Sequence, residues 1–157
     1  MPKIPRKVSR KQLHKRLKHW LVELGKDAGY ESFSGDSEPI DIRVKRSRIE
    51  YKPDVVWNRR GKFYFLELAF TEDWRSVIGE FILASLKRNS RGFFVIRISL
   101  DDETRESDYD LFDNLFKILS RKEKMRWAFY LFTKDEIADF FYVKRKLKET
   151  LKEYKWL

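Results

Sequence analysis

Hydrophobic residues recur at helical spacing near the start of the chain. The pattern predicts an amphipathic helix over about 9–27, ended by Gly25 or Gly29. The apolar stripe of this helix consists of Leu13, Leu17, Trp20, Leu21 and Leu24. The following region, 30–50, has a weak pattern in which only Ile40–Val44 resembles a strand.

Two strand-like runs follow at 54–57 and 63–70. They are joined by residues 58–61, and Gly61 suits the positive φ that a tight turn requires. The spacing predicts a β-hairpin. If all four joining residues form the loop, Trp57 faces Lys62 across the two strands.

Helical and strand-like patterns then alternate to the end of the chain. Thr71 is the expected N-cap of a helix to about Arg88, with Glu72 and Asp73 in its first turn. A strand at 93–100, a helix at about 109–119, a strand at 127–132 and a helix at 134–154 follow. This order predicts an α/β (α+β) fold with a mixed central β-sheet flanked by helices, in one domain over residues 1–157.

The amino-acid composition excludes several classes of function. The chain has no cysteine, which excludes disulfides, thiolate zinc sites and cysteine nucleophiles. It has no apolar run long enough to span a membrane, no signal-peptide pattern and no nucleotide-binding glycine motif. We therefore expect a cytoplasmic protein with neither a membrane partner nor a nucleotide cofactor.

The net charge of +10 comes from 35 basic and 25 acidic residues and favours an anionic partner. The basic residues concentrate in residues 1–20, which include a basic N-terminal arm at about 1–10, in the segment 43–62, and in residues 144–155 of a basic C-terminal helix at about 134–157. The segment 101–113 is acidic. Each basic block alone is also compatible with a solvated surface. Together they favour nucleic acid, and the expected phosphate-binding residues are Arg6, Lys7, Arg10, Lys11, Lys45, Arg46, Arg48, Arg59 and Arg60.

Two further sets of residues receive structural interpretations. His14 and His19 are five positions apart, so they do not share a helix face and are expected to join the basic surface. The aromatic residues of the second half are expected to form the core rather than to stack on bases. They are Phe93, Phe94, Phe112, Phe116, Trp127, Phe129, Phe140 and Phe141.

Two carboxylates in the hairpin are the principal candidates for chemistry. In the four-residue-loop register, Asp54 faces Phe65, and Glu67 is its diagonal neighbour on the same sheet face, roughly 7 Å away. Two carboxylates at this separation can bind one hard divalent cation, Mg²⁺ or Mn²⁺. An ion pair with a neighbouring basic residue, or exposure at the strand ends, would explain the same acids without a metal.

The helix after the hairpin supplies a third acid. Its core-facing residues are expected to be Trp74, Val77, Ile78, Phe81 and Ser85. Glu80 lies to one side of them, on the same side as Asp73. Gly79 leaves bare backbone beside Glu80. A solvated Glu80 remains the alternative interpretation.

At these residues the chain resembles the PD-(D/E)XK nuclease superfamily, which has the restriction-endonuclease-like fold. The resemblance lies in Pro53-Asp54, a gap of 12 residues, and Glu67-Leu68-Ala69, preceded by a helix that carries Glu23. It implies magnesium-dependent phosphodiester hydrolysis in which Asp54 and Glu67 hold the metal and Glu23 is a supporting acid. In composition the chain is also similar to small proteins of filamentous viruses that infect hyperthermophilic archaea, which fits a thermophilic source.

One position departs from that family pattern. The family has a lysine where this chain has Ala69. Lys52 is the expected substitute because the assumed register places it opposite Glu67, and Arg75 is another cation nearby in sequence. Alternatively, Glu80 supplies the missing function as a base or a further metal ligand.

The sequence thus predicts a divalent-metal-dependent deoxyribonuclease that acts on double-stranded DNA with little sequence specificity, as a monomer or homodimer. Its expected catalytic residues are Glu80, Asp54, Glu67 and Lys52, supported by Glu23, Arg75 and Asp73. The alternatives are an inactive nucleic-acid-binding module and a viral nucleoprotein or packaging component that uses the same basic surface.

Overall fold

A computed structural model describes residues 9–70, 73–99, 102–123 and 125–157 of the chain. In these residues the helices are α1 (Arg10–Asp27), α2 (Trp74–Leu86), α3 (Asp102–Glu123) and α4 (Phe140–Glu153). The strands are β1 (Glu31–Phe33), β2 (Ile40–Val44), β3 (Ser47–Tyr51), β4 (Val55–Arg59), β5 (Lys62–Leu68), β6 (Ser90–Ser99) and β7 (Arg126–Thr133). A single 3₁₀ turn, Glu136–Ala138, precedes α4.

The five-stranded sheet has the strand order β1-β4-β5-β6-β7. The pairs β1–β4 and β4–β5 are antiparallel, whereas β5–β6 and β6–β7 are parallel. Strands β2 and β3 form a separate antiparallel ribbon. The prediction of a mixed sheet flanked by helices in an α+β fold is confirmed.

Apolar residues on both faces of the sheet form two core layers. Helices α1 and α4 cover one face, where Leu17 and Leu147 pack against strand residues such as Leu66. Helix α2, helix α3 and the β2–β3 ribbon cover the other face, where Phe81 and Phe112 are buried. Because side chains alternate along a strand, Leu66 and Leu68 of β5 face the α1 layer and Phe65 and Glu67 face the α2 layer.

Helix α1 begins one residue later than predicted, at Arg10. Ser9 is its N-cap, and its hydroxyl and the Gln12 side chain form a reciprocal capping box. Gly25 does not end the helix. It is buried inside the helix at a place where any side chain would collide with Trp57, which explains why this position is a glycine. The helix ends at Asp27, two residues before Gly29, whose φ is +87°.

The predicted β4–β5 hairpin is present, but its predicted register is wrong. Arg59 pairs with Lys62, so the loop contains only Arg60 and Gly61, with φ values of 54° and 77°. Positive φ at both positions is the geometry of the tightest hairpin turns. The pairing is shifted by two residues, an even number, so every side chain keeps its predicted sheet face.

Several other predictions need correction. Strands β1 and β3 were not expected, since β1 has three residues and four of the five β3 residues are exposed. Asp73 is itself the N-cap of α2, its carboxylate accepting a hydrogen bond from the Arg75 amide, while Thr71 and Glu72 lie outside the described residues. Two side chains expected in the core are not there, since Trp74 is 42% exposed and Phe141 is 80% exposed. The side chain of Phe116 lies outside the described part of the chain.

Trp156 anchors the C-terminal end of the chain in the core. Its residue exposure is 2%, and its ring lies 5.1 Å from that of Tyr64 and 5.8 Å from that of Phe94, between centroids. Its carbonyl accepts a hydrogen bond of 2.5 Å from the Tyr30 hydroxyl. A Cβ added to Gly92 of β6 would lie 2.4 Å from this indole, so only a glycine at this position leaves room for the Trp156 ring.

None of the helices in the described residues combines the length and the apolar character needed to cross a lipid bilayer.

Replacement of Trp156 with alanine should lower the free energy of unfolding by about 3–5 kcal/mol, because it leaves a large cavity among aromatic side chains. Phe141→Ala removes a similar apolar area from an exposed site and should cost less than about 0.5 kcal/mol. Urea unfolding followed by far-UV circular dichroism measures both. Equal losses in the two variants would contradict the assigned burial.

Candidate active site

The centre of the site is a buried carboxylate on β5. Glu67 is 4% exposed, and its Oε1 accepts a hydrogen bond of 2.6 Å from the Tyr51 hydroxyl. Tyr51 ends β3 and is itself buried. The β2–β3 ribbon therefore brings a phenol to a buried carboxylate on a largely apolar sheet face.

Asp54 lies directly before β4, at the end of the sheet where β4 begins and β5 ends. Because Val55 pairs with Leu66, one further step of the register places Asp54 opposite Glu67 rather than on a diagonal. The Asp54 Oδ2 accepts a hydrogen bond of 2.8 Å from the Leu68 amide, which fixes it beside the end of β5. The predicted proximity of the two carboxylates is confirmed, and the two-residue turn makes it closer than the sequence indicated.

His14 of α1 contacts the other carboxylate oxygen of Asp54. Its Nε2 is 3.3 Å from the Asp54 Oδ1, with side-chain exposures of 35% for His14 and 19% for Asp54. The imidazole also makes an edge contact with the Phe70 ring, 5.7 Å between centroids. The prediction that His14 merely joins the basic surface is therefore wrong.

The two carboxyl groups have pKa values displaced in opposite directions. Burial raises the pKa of Glu67 well above its ordinary value of 4.5, and the charges of Glu80 and Asp54 add to this. Burial also acts to raise the pKa of Asp54, but hydrogen bonds with His14 and with the Leu68 amide outweigh it and the pKa is lowered. The two acids therefore form one coupled pair, in which Glu67 keeps its proton to a higher pH than Asp54 does.

Glu80 completes the cluster from helix α2. Helix α2 packs over the same sheet face as Glu67, and the Oε2 of Glu80 is buried. Its negative charge contributes to raising the pKa values of both Glu67 and Tyr51. The structure thus brings together Asp54, Glu67 and Glu80, three of the predicted catalytic residues.

Two other predicted residues are not in the site. Glu23 is half-exposed and lies 3.6 Å from the Lys26 ammonium. Nine residues separate it from His14, which is two and a half helical turns, so the two side chains leave α1 on opposite sides and about 13 Å apart along its axis. Lys52 is also exposed, and its Nζ lies 3.4 Å from Glu50. Because side chains alternate, Tyr51 rather than Lys52 turns towards Glu67.

The two remaining supporting residues have local roles. Asp73 is exposed and caps α2. The Arg75 guanidinium lies 5.4 Å from the centre of the Trp74 ring, at the exposed start of the same helix. Neither side chain has a contact with the three carboxyl groups that would place it in the cluster.

The predicted phosphate-binding residues divide into two sets. Arg48 forms a bidentate ion pair with Asp41, both contacts 2.7 Å, and Arg59 lies over the Tyr30 ring and donates to the Ala28 carbonyl, so both have structural partners. The exposed cations are Arg10 and Lys11 at the start of α1, Lys45 and Arg46 in the β2–β3 turn, and Arg60 in the hairpin turn. Arg6 and Lys7 lie outside the described residues.

The donor set matches the chemistry of a hard divalent cation. It consists of the oxygen-bearing side chains of Asp54, Glu67 and Glu80, partly buried and mutually repelling. No group of three or more histidine or acidic side chains in the described part of the chain is already arranged around a metal position. A divalent cation bound here would compete with protonation of Glu67, whose pKa is raised.

Comparison with known proteins gives no relative for this chain. No family model matches it, and no curated protein or solved structure is significantly similar. The resemblance to the PD-(D/E)XK superfamily stays a prediction carried by the few residues of its motif.

Glu67→Gln should change how stability depends on pH in the presence of EDTA. Because the pKa of Glu67 is higher in the folded than in the unfolded state, the folded protein binds more protons above pH 4.5, and stability falls as pH rises towards the raised pKa. This loss, about 1.4 kcal/mol for each pH unit in that interval, should be absent in Glu67→Gln, whose amide can donate to Asp54 and accept from Tyr51.

Urea unfolding between pH 4.5 and 8 measures this effect. The lowered pKa of Asp54 acts at more acidic pH and is present in both proteins, so it does not obscure the comparison. Glu50→Gln, which removes an exposed acid, is the control and should keep the wild-type profile. Parallel wild-type and Glu67→Gln profiles would show that Glu67 ionises normally.

Proposed function

We propose that this protein is a divalent-metal-dependent nuclease that hydrolyses phosphodiester bonds in double-stranded DNA with little sequence specificity. The observation that carries the proposal is the convergence of Asp54, Glu67 and Glu80 on one sheet edge in a chain with a net charge of +10. Buried like-charged carboxylates destabilise a fold, and a divalent cation compensates them while serving phosphate chemistry. We propose that the protein acts in the cytoplasm, which for a viral protein is the cytoplasm of the host.

Asp54 and Glu67 are the proposed holders of Mg²⁺ or Mn²⁺. When bound, the cation would activate water and offset charge on the phosphate. The chain's own residues provide the positioning: the Leu68 amide and His14 orient the two oxygens of Asp54, and Tyr51 orients Glu67. Glu80, from the facing helix, is the proposed third acid, as a further ligand or as the base that orients water.

The basic residues near the site would bind the DNA backbone. Arg10 lies one turn before His14 on the same side of α1, so a phosphate held there would be close to Asp54. Lys45 and Arg46 at the ribbon turn offer further charge.

A second candidate function is a DNA-binding module without catalysis. It is favoured by Ala69, which is buried and leaves no cation at the position where the resembled family has a lysine. The same assay separates the two candidates.

Purified protein should degrade linear and covalently closed DNA with Mg²⁺ or Mn²⁺ but not with EDTA. Asp54→Asn, Glu67→Gln and Glu80→Gln should each slow cleavage by about 100-fold or more, because each removes an acid from the proposed reaction centre. Glu23→Gln is the matched control on α1 and should cleave normally. No metal-dependent cleavage at any temperature up to the melting point would leave only the binding module.

His14→Ala tests the positioning of Asp54, and Lys52→Ala tests whether Lys52 replaces the family lysine. Loss of His14 leaves the Asp54 Oδ1 without this orienting contact. It should lower the cleavage rate, or raise the Mn²⁺ concentration needed for half-maximal cleavage, by about 10- to 100-fold. His19→Ala, an exposed histidine on the same helix, and Lys52→Ala should leave the rate within about twofold of the wild type. Cleavage rates across a Mn²⁺ titration measure this, and a severe defect in Lys52→Ala alone would contradict the role assigned to His14.

A further inference from the structure

Helices α1 and α4 form an open groove of about 470 Å³ on the surface of their layer. One side is Trp20 of α1, and the other is α4, which contributes Phe141 and the cations Lys144, Arg145, Lys148 and Lys152. We call this feature the basic–aromatic groove.

The exposed face of α4 follows from its sequence pattern. Val143, Leu147 and Leu151 are spaced by four residues and are buried against the sheet. Phe141, Arg145, Lys148 and Lys152 form a different stripe of the same helix, at spacings of four, three and four residues, and all four are exposed. An aromatic ring thus stands in a row of cations on the solvent side of the helix.

Phe141 has no role in the core that would explain it. Its exposure is 80%, the highest among the large hydrophobic residues described as exposed. The Lys144 ammonium lies 4.8 Å from its ring centre and 4.9 Å from that of Phe140, and the Arg16 guanidinium lies 4.3 Å from the Phe140 ring centre. One cation, Lys144, therefore contacts Phe141 itself, and most of the Phe141 ring is left available to a ligand.

The charge of the groove selects a polyanion. Its four cations face a single acid, Glu149, whose carboxylate already lies 3.4 Å from the Lys146 ammonium. A row of cations beside an exposed ring matches a strand whose phosphates alternate with flat bases. Inside a duplex the faces of the bases are covered by stacking on their neighbours, so the base that stacks on Phe141 has to be unpaired.

We propose that the basic–aromatic groove binds single-stranded nucleic acid, with phosphates on the α4 lysines and an unpaired base stacked on Phe141. The proposal does not rest on the proposed nuclease activity. Six residues, one and two-thirds turns, separate His14 from Trp20, so the groove and the acidic site lie on different flanks of α1. Binding is therefore measurable in a protein that cannot cleave.

The test is fluorescence anisotropy with labelled single-stranded dT20 and rU20 and a 20-base-pair duplex, using Glu67→Gln protein in EDTA. Phe141→Ala in this background should weaken single-strand binding by about fivefold or more and change duplex binding less than twofold. Phe141→Trp should restore it. Tyr109→Ala, an exposed aromatic on α3, is the matched control and should have no effect.

A charge variant tests the phosphate contacts. Lys148→Gln with Lys152→Gln should reduce the slope of log affinity against log salt by about 1.4 for single strands. The control removes two cations from α3, Lys117→Gln with Arg121→Gln, and should leave that slope unchanged. The variants must first match the parent protein in thermal melting.

Any of the following results would overturn the proposal. The first is unchanged dT20 and rU20 binding in Phe141→Ala, and the second is an equal loss of single-strand and duplex binding, which would reduce the groove to a general cationic surface. The third is a preference for vesicles of anionic lipid over dT20, or a dimer that Phe141→Ala dissociates in sedimentation, which would assign the groove to a membrane surface or to a second copy of the chain.

Discussion

The pairing of β4 with β5 is the constraint on which the site depends. The turn at Arg60 and Gly61 fixes this register, and the register places Asp54 opposite Glu67. A slip of one residue would turn Glu67 to the α1 layer, away from Tyr51 and Glu80. The same strand pair carries apolar residues into both core layers, so the packing of the whole sheet holds the two carboxyl groups together.

The surrounding structure compensates these acids only in part. Tyr51, the Leu68 amide and His14 satisfy individual oxygens, yet burial and mutual repulsion still raise the pKa of Glu67. A sheet built for stability alone would place an apolar side chain at this position, as β5 does at Phe65 and Leu66. Strain of this kind is typical of sites that bind a cation or move a proton.

The sequence predicted much of the frame and about half of the site. Regular apolar spacing was sufficient for α1, and two strand-like runs joined by a turn with Gly61 were sufficient for the hairpin. The even register shift preserved the faces of Asp54 and Glu67. Tyr51 and His14 were missed because their partners are distant in sequence, although the position of His14 next to Leu13, at the edge of the buried stripe, was an available signal. The predictions for Glu23 and Lys52 were wrong for geometric reasons. Glu23 lies two and a half helical turns from His14 and therefore points to the other side of α1. Lys52 follows Tyr51, so strand alternation turns it away from Glu67.

Calorimetric titration with Mn²⁺ tests most directly whether the paired carboxyl groups form a metal site. The wild type and Glu50→Gln should bind one Mn²⁺ per chain, whereas Glu67→Gln and Asp54→Asn should lose this binding while remaining folded. Mn²⁺ binding of equal affinity and stoichiometry in all four proteins, or none in the wild type, would contradict the account, because the Asp54–Glu67 pair would then not be the place where the cation is held.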